Sequence, residues 1–274
     1  MQIFINYNIH NSLNLPSRMA YGDGIFETIR VDGGRVAFLQ SHLTRLQESA
    51  VFFELLPKKF DWTEFYCELD NVVDKLHDGV LKILLVRKYR GRGYRYTADS
   101  GSEIIMECYD GNIPYGWQTG PANIGVCSIP CSINSVLAGH KHLNRMDSVL
   151  AAREVQKKGW DDGVMCCQEQ VIETTSANVF VVQQGSILTP EISVAGVNGV
   201  IRRILLSETS LPIRVIPRLT LSDCQNAQAL FLTNAAKIVW PVNSLTVNER
   251  IIRYDLTNPL LERVLSDFRN RLSC

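Results

Sequence analysis

The chain has 274 residues, 46% hydrophobic and 20% charged, and its 28 basic side chains equal its 28 acidic ones. That balance is ordinary for a folded globular chain and leaves no basic excess to hold a nucleic-acid backbone, so nucleic-acid binding is not expected. The longest apolar run, near Val80–Val86, is interrupted by Lys82 and is too short to span a bilayer.

The first residues lack the charged leader and long apolar stretch of a signal peptide, and the eight cysteines form no paired Cys-x-x-Cys knuckles. A cytoplasmic protein with reduced, mostly buried thiols is therefore expected. In chain order, Ile25–Val31 and Arg35–Leu39 read as strands joined by Asp32-Gly33-Gly34, a hairpin turn signal. Ser41 reads as the N-cap of a helix carrying Leu43, Leu46, Ala50 and Phe53. Asp61, with Glu64 three residues on, opens a second helix whose Trp62, Phe65, Leu69, Val72 and Leu76 recur at helical spacing. Val80–Arg87 and Glu103–Tyr109 read as strands. The first lobe is thus a sheet with at least two helices against it, over residues 1–112.

Residues 110–121 are rich in turn formers, and a linker is placed at 113–121. A second lobe over 122–274 then shows a strand at Ala122–Ile129 and a helix at Leu143–Lys158 that stops near Gly159. Short strands follow at Gly163–Cys167, Ala177–Val182 and Ser186–Leu188, then a helix at Gly199–Ser207, a buried strand at Ala229–Thr233 and a closing helix at Leu260–Leu272. The fold class is α+β, and the many short strands of the second lobe suit a distorted barrel better than a doubly wound sheet.

Several chemistries lack their motif. Gly22-Asp-Gly24 and Gly91-Arg-Gly93 do not complete a dinucleotide fingerprint, and no phosphate loop or Gly-x-Ser-x-Gly elbow occurs. His140 and His142 flank Lys141 without the further carboxylates or thiols that a metal site needs. Read alone, Lys141 is better explained as a solvated lysine at a helix start, and Glu173 equally well as a surface carboxylate in a turn.

The order of the pieces carries more. Glu173-Thr-Thr-Ser-Ala-Asn178-Val179-Phe180 is followed by Thr189 and by Val197-Asn-Gly199-Val200-Ile201-Arg202. This series resembles the signature of the class-IV aminotransferase family, the fold-type IV pyridoxal 5'-phosphate (PLP) enzymes, and the likeness runs over nearly the whole chain. Within the family the chain resembles most the aminodeoxychorismate lyases, through Tyr21-Gly-Asp-Gly-Ile-Phe-Glu-Thr-Ile-Arg-Val31, Gly91-Arg-Gly-Tyr94, Leu137–Arg145, Ala195-Gly-Val-Asn-Gly199 and Asn234-Ala235.

That resemblance implies an N-terminal α/β sandwich lobe, a C-terminal PLP-binding pseudo-barrel lobe and a homodimer acting on a small-molecule substrate. It implies that Lys141 carries the cofactor and moves the substrate proton, and that Glu173 pairs with the pyridine nitrogen. Arg45, the backbone N–H groups of Val200 and Ile201, and the Asn234-Ala235 loop would hold the phosphate. Thr28, Arg92 and Tyr94 would meet the substrate, Arg92 by its carboxylate-matching fork. The implied reaction is cleavage of 4-amino-4-deoxychorismate to 4-aminobenzoate and pyruvate, a step of folate biosynthesis. A D-amino-acid or branched-chain aminotransferase is the alternative, since Glu27 also occurs in transaminases, although Phe26 stands where a D-amino-acid transaminase has Tyr. A catalytically silent dimeric scaffold on the same fold is the other.

Overall fold

The computed structural model describes residues 2–5, 8–9, 17–56, 60–88, 93–97 and 100–273. By contacts the chain divides into two units, Met1–Ile113 with Lys141–Asn144, and Pro114–His140 with Arg145–Cys274. Residues 141–144, numbered within the expected second lobe, thus pack with the first unit.

The first unit contains strands β1 (Gln2–Ile5), β2 (Asn8–Ile9), β3 (Gly24–Asp32), β4 (Arg35–Val36), β5 (Gly79–Arg87) and β6 (Ser102–Asp110), in the sheet order β2-β1-β6-β5-β3-β4. Successive side chains of a strand point to opposite faces. On β3, Ile25, Ile29 and Val31 accordingly join a core with Leu43, Leu46 and Ala50 of α1 (Leu39–Phe52) and Phe65, Leu69 and Val72 of α2 (Trp62–Leu76). Phe26 faces the other way and packs with Leu84, Val86, Ile105 and Leu143. Gly33 and Gly34 both take positive φ in the turn after β3, as a tight hairpin of this twist demands. Asp61 caps α2 by accepting the N–H groups of Thr63 and Glu64.

Two expectations are corrected in this unit. Strand β4 is only two residues long, and α1 begins at Leu39 with Phe38 in the N-cap position, in a left-handed conformation and without a side-chain cap. Ser41 lies inside the helix rather than capping it.

The second unit contains β7 (Ala122–Val126), α3 (Met146–Lys158), β8 (Asp162–Cys167), β9 (Gln170–Thr174), β10 (Asn178–Gln183), β11 (Ser186–Pro190), α4 (Val200–Glu208), β12 (Ile213–Ile216), α5 (Leu221–Gln225), β13 (Ala229–Asn234), β14 (Ile238–Val247), β15 (Arg250–Arg253) and α6 (Pro259–Ser273). Following the pairings β10-β13-β14-β7-β8-β9 leads back to β10 through one residue pair, Asn178 with Glu173. Six strands therefore close into a barrel, with β11 and β12 extending from β10 and β15 from β14. Its interior is apolar and includes Ile124, Val164, Val171, Val179, Val181, Leu230, Leu232, Val242 and Leu245, all fully buried.

Helix α3 starts at Met146, three residues later than its periodicity suggests, because the backbone before it is committed elsewhere. Phe26 N–H donates to the Lys141 carbonyl and Leu143 N–H donates to the Gly24 carbonyl, in strand fashion. Strand β14 passes through Pro241, a residue that argues against a paired strand when read in sequence.

Candidate active site

In the first unit Lys141 is fixed by backbone pairing along β3. The Phe26 to Lys141 and Leu143 to Gly24 hydrogen bonds are 2.9 and 3.0 Å, and Ile25 and His142 form an antiparallel bridge. The Asn144 amide donates to the Gly22 carbonyl at 3.1 Å. Gly22 has φ of +66°, and a β-carbon there would overlap the Asn144 side chain, so this turn requires glycine. The Lys141 ammonium lies 4.3 Å from the centroid of the Phe26 ring, a cation–π distance. Thr28, two residues along the same face as Phe26, is half-buried and stands opposite Lys82 of β5 in the register.

The opposite face of β3 carries a charged cluster. Glu27 is 1% exposed and accepts from Arg45 Nε at 2.8 Å, from Arg45 Nη2, and from His42 Nδ1 at 2.7 Å. Burial pushes the Glu27 carboxyl up, but the Arg45 guanidinium and the hydrogen bonds from His42 and Arg45 outweigh it and hold it down to about 2. Burial lowers the His42 pKa, and the charges of Arg45 and Lys141 push the same way against Glu27. His42 is therefore a neutral imidazole that donates to Glu27.

Sequence reasoning selected Arg45 and passed over Glu27 and His42. The signal was available: Glu27 falls in phase with Ile25, Ile29 and Val31, so its side chain had to face the core, and a core carboxylate needs a cation.

Tyr94 is 81% exposed, stacks edge-on against Tyr21, and offers its carbonyl to Arg18. Arg18 also donates to the Gly93 carbonyl and to Asp23, which binds Arg87 as well. Arg92 lies outside the described residues.

In the second unit Glu173 sits at the closing pair of the barrel and is 8% exposed. Its Oε2 accepts the Val197 N–H at 2.8 Å, and Arg145 Nη1 lies 3.7 Å from Oε1. Asn178 Nδ2 donates to the Val197 carbonyl at 2.8 Å, so residue 197 is gripped at both backbone groups. Gly196 has φ of +87°, and a β-carbon there would come within 2.7 Å of Ile172.

Two residues beyond Val197, Gly199 takes the N-cap position of α4 and supplies no side-chain cap. Val200 and Ile201 therefore open a helix whose first N–H groups lack intrahelical acceptors, the arrangement that suits an anion. Helix α4 packs against β13, where the buried Thr233 hydroxyl has no hydrogen-bond partner among the described residues. Asn234 uses its side-chain oxygen within its own turn, accepting from the N–H groups of Ala236 and Lys237, and so shapes the loop that holds Ala235. Thr233 was not singled out from the sequence, where it reads as one more buried strand position.

These residues fit PLP chemically. An uncapped helix start matches a phosphate, an unsatisfied buried hydroxyl offers one more donor, and a buried carboxylate matches a protonated ring nitrogen.

The sequence pattern of the class IV amino-transferase family matches residues 24–245. An aminodeoxychorismate lyase of Vibrio harveyi is 31% identical over 242 residues, spanning 86% of this chain and 88% of the lyase. A D-alanine aminotransferase of Bacillus licheniformis is 25% identical over 258 residues, spanning 92% and 88% of the two chains. The crystal structure of 4-amino-4-deoxychorismate lyase from Pseudomonas aeruginosa superposes with a TM-score of 0.85 at 28% identity, covering 99% of this chain and all of that one. With the pattern spanning most of the chain and the Vibrio relative above thirty per cent, the chain belongs to the class IV aminotransferase family, whose enzymes depend on PLP.

Proposed function

We propose that the chain is a PLP-dependent carbon–oxygen lyase that converts 4-amino-4-deoxychorismate to 4-aminobenzoate and pyruvate. The observation that carries the reading is the 31% identity with the Vibrio harveyi lyase over most of both chains, against 25% for the aminotransferase of Bacillus licheniformis.

Lys141 is the covalent anchor of the cofactor and the base. Its Nζ takes the proton from the ring carbon that bears the amine. The electron pair left behind expels the enolpyruvyl oxygen from the neighbouring carbon, and the ring becomes aromatic. The departing enolpyruvate takes up a proton to give pyruvate. Bound PLP supplies an electron-withdrawing ring that acidifies the carbon to be deprotonated.

Glu173 would pair with the pyridine nitrogen of bound PLP, with Arg145 Nη1 3.7 Å from its other oxygen. The N–H groups of Val200 and Ile201, with the Asn234-Ala235 loop, bind the phosphate. Arg45 adds positive charge to the same task, arriving already braced by Glu27. Arg92 holds a substrate carboxylate, and Thr28 and Tyr94 contact the substrate.

The working unit is a homodimer in the cytoplasm. Support for a second copy comes from the outer face of α3, where Met146, Val149 and Leu150 are exposed at helical spacing, with Ile133 and Val136 exposed in the preceding segment. Light scattering on the purified protein tests it.

The chemistry is tested by product analysis. The protein is incubated with aminodeoxychorismate, and separately with D-alanine or leucine plus a keto acid. Pyruvate and 4-aminobenzoate are expected from the first incubation. Keto-acid exchange without pyruvate release from aminodeoxychorismate would make the chain a transaminase. Absence of a borohydride-sensitive visible absorbance would make it a scaffold. Lys141→Ala is expected to remain folded and lose turnover by at least about 10⁴-fold; retained turnover would refute the lysine's role.

A further inference from the structure

Asp162, at the start of β8, is 2% exposed and takes part in no step proposed above. Five donors converge on its carboxylate. Oδ1 accepts from Gly163 N–H at 2.7 Å, Thr175 N–H at 3.1 Å and the Thr175 hydroxyl at 2.6 Å. Oδ2 accepts from the hydroxyls of Thr174 and Ser176, each at 2.8 Å. Three consecutive residues of the turn between β9 and β10 are thus tied to one side chain of a third strand.

The turn is also closed on itself. Thr174 N–H donates to the Ala177 carbonyl at 2.7 Å, and Ala177 N–H donates to the Thr174 hydroxyl at 2.9 Å. The residues flanking it are Glu173 and Asn178, the closing pair of the barrel, and they grip the N–H and the carbonyl of Val197 respectively. Any rotation of the turn would pull these grips apart, and Val197 leads within two residues to the N-cap of α4.

We infer that Asp162 is a positioning residue: its carboxylate fixes the Thr174–Ala177 turn, and through Glu173 and Asn178 it sets the carboxylate and the α4 N-terminus in one rigid relation. The consequence for cofactor binding rests on the roles proposed above for Glu173 and α4; the positioning itself does not. A buried carboxylate suits this task because it is acceptor-only and can gather several donors of different origin at once. An amide at the same place would turn a donor toward the hydroxyls of Thr174 and Ser176.

The test is amide hydrogen exchange on the full chain, with and without PLP, comparing the natural protein with Asp162→Asn and Ser176→Ala. The amides to watch are Val197, bound to Glu173, and Arg203, which makes the first bond of α4 to the Gly199 carbonyl. Asp162→Asn is expected to speed their exchange about tenfold or more and to leave the amides of β7 and β14 unchanged. Ser176→Ala, which removes one donor and keeps the carboxylate, is expected to give the same local pattern at roughly threefold. If Asp162→Asn fails to fold, Ser176→Ala decides alone. Unchanged exchange at Val197 and Arg203, or an even increase across the barrel, overturns the proposal.

PLP titration is the second arm. Asp162→Asn is expected to raise the Kd about tenfold, and Glu173→Ala is run beside it. Local loosening with PLP affinity intact in both variants would uphold the positioning role and refute the assignment of the cofactor site.

Discussion

The two units hold their buried carboxylates by different physics. In the first, Glu27 is held by charge, against a guanidinium and an imidazole. In the second, Asp162 is held by neutral donors from a single turn and its own strand. Charge gives a strong grip that depends on every partner keeping its protonation state, because a lone ion left in a dry interior has nothing to offset its desolvation. Converging neutral donors give a grip that depends on geometry, since each bond holds only while its donor stays aimed at the carboxylate.

The sharpest way to break the comparison is Arg45→Ala, which strands Glu27 in the core. A loss of about 3–5 kcal/mol is expected in urea unfolding. Replacing both partners, as Glu27→Leu with Arg45→Leu, is expected to recover most of that loss. A small effect of the single change would mean that Glu27 is not charge-held.

Acid titration comes next. The Glu27 carboxyl is lowered from 4.5 to about 2, so its stabilisation is present above pH 4.5 and drains away as pH falls toward 2. The amount is roughly 3 kcal/mol, read as a steep acid limb in unfolding free energy that Glu27→Gln flattens.

In the second unit the corresponding perturbation is steric. Gly196→Ala adds a β-carbon at positive φ, 2.7 Å from Ile172 and 3.3 Å from Glu173 Oε2, and is expected to cost about 2 kcal/mol in urea unfolding. A negligible penalty there would mean that close packing does not hold this turn.

The smallest effect belongs to His42. Its pKa is lowered in the folded chain, so the unfolded chain takes up the proton first and stability falls as pH drops below 6.5. Lower stability is expected at pH 5.5 than at pH 6.5. His42→Asn removes that slope, as chemical denaturation at the two pH values will show.

Much of this was legible in the sequence where periodicity or turn chemistry is strong. The Asp32-Gly33-Gly34 hairpin and the Asp61 cap fall where their residues direct. The start of α3 was not legible, because Lys141–Asn144 owe their extended shape to β3, more than a hundred residues away. Nor was β14, whose Pro241 is tolerated by pairing that no local window reveals. In the site, Arg45 and Glu173 stood out as family positions. The partners that fix them, Glu27 and Asn178, were passed over because their roles depend on neighbours brought by the fold. Thr233 left no mark, since a threonine in a strand is ordinary until its hydroxyl is found unpaired.

The return of Lys141–Asn144 to β3 also sets an order of events during synthesis. The N–H of Phe26 finds its acceptor only after the ribosome has made some thirty residues beyond Ile113, which at about 5–20 residues per second is a wait of seconds. A nascent chain stalled at Ile113 would carry an open flank on β3. Lys141 is therefore delivered by the same peptide that seals that flank, and a first unit completed on its backbone is, by construction, a first unit already carrying that amine.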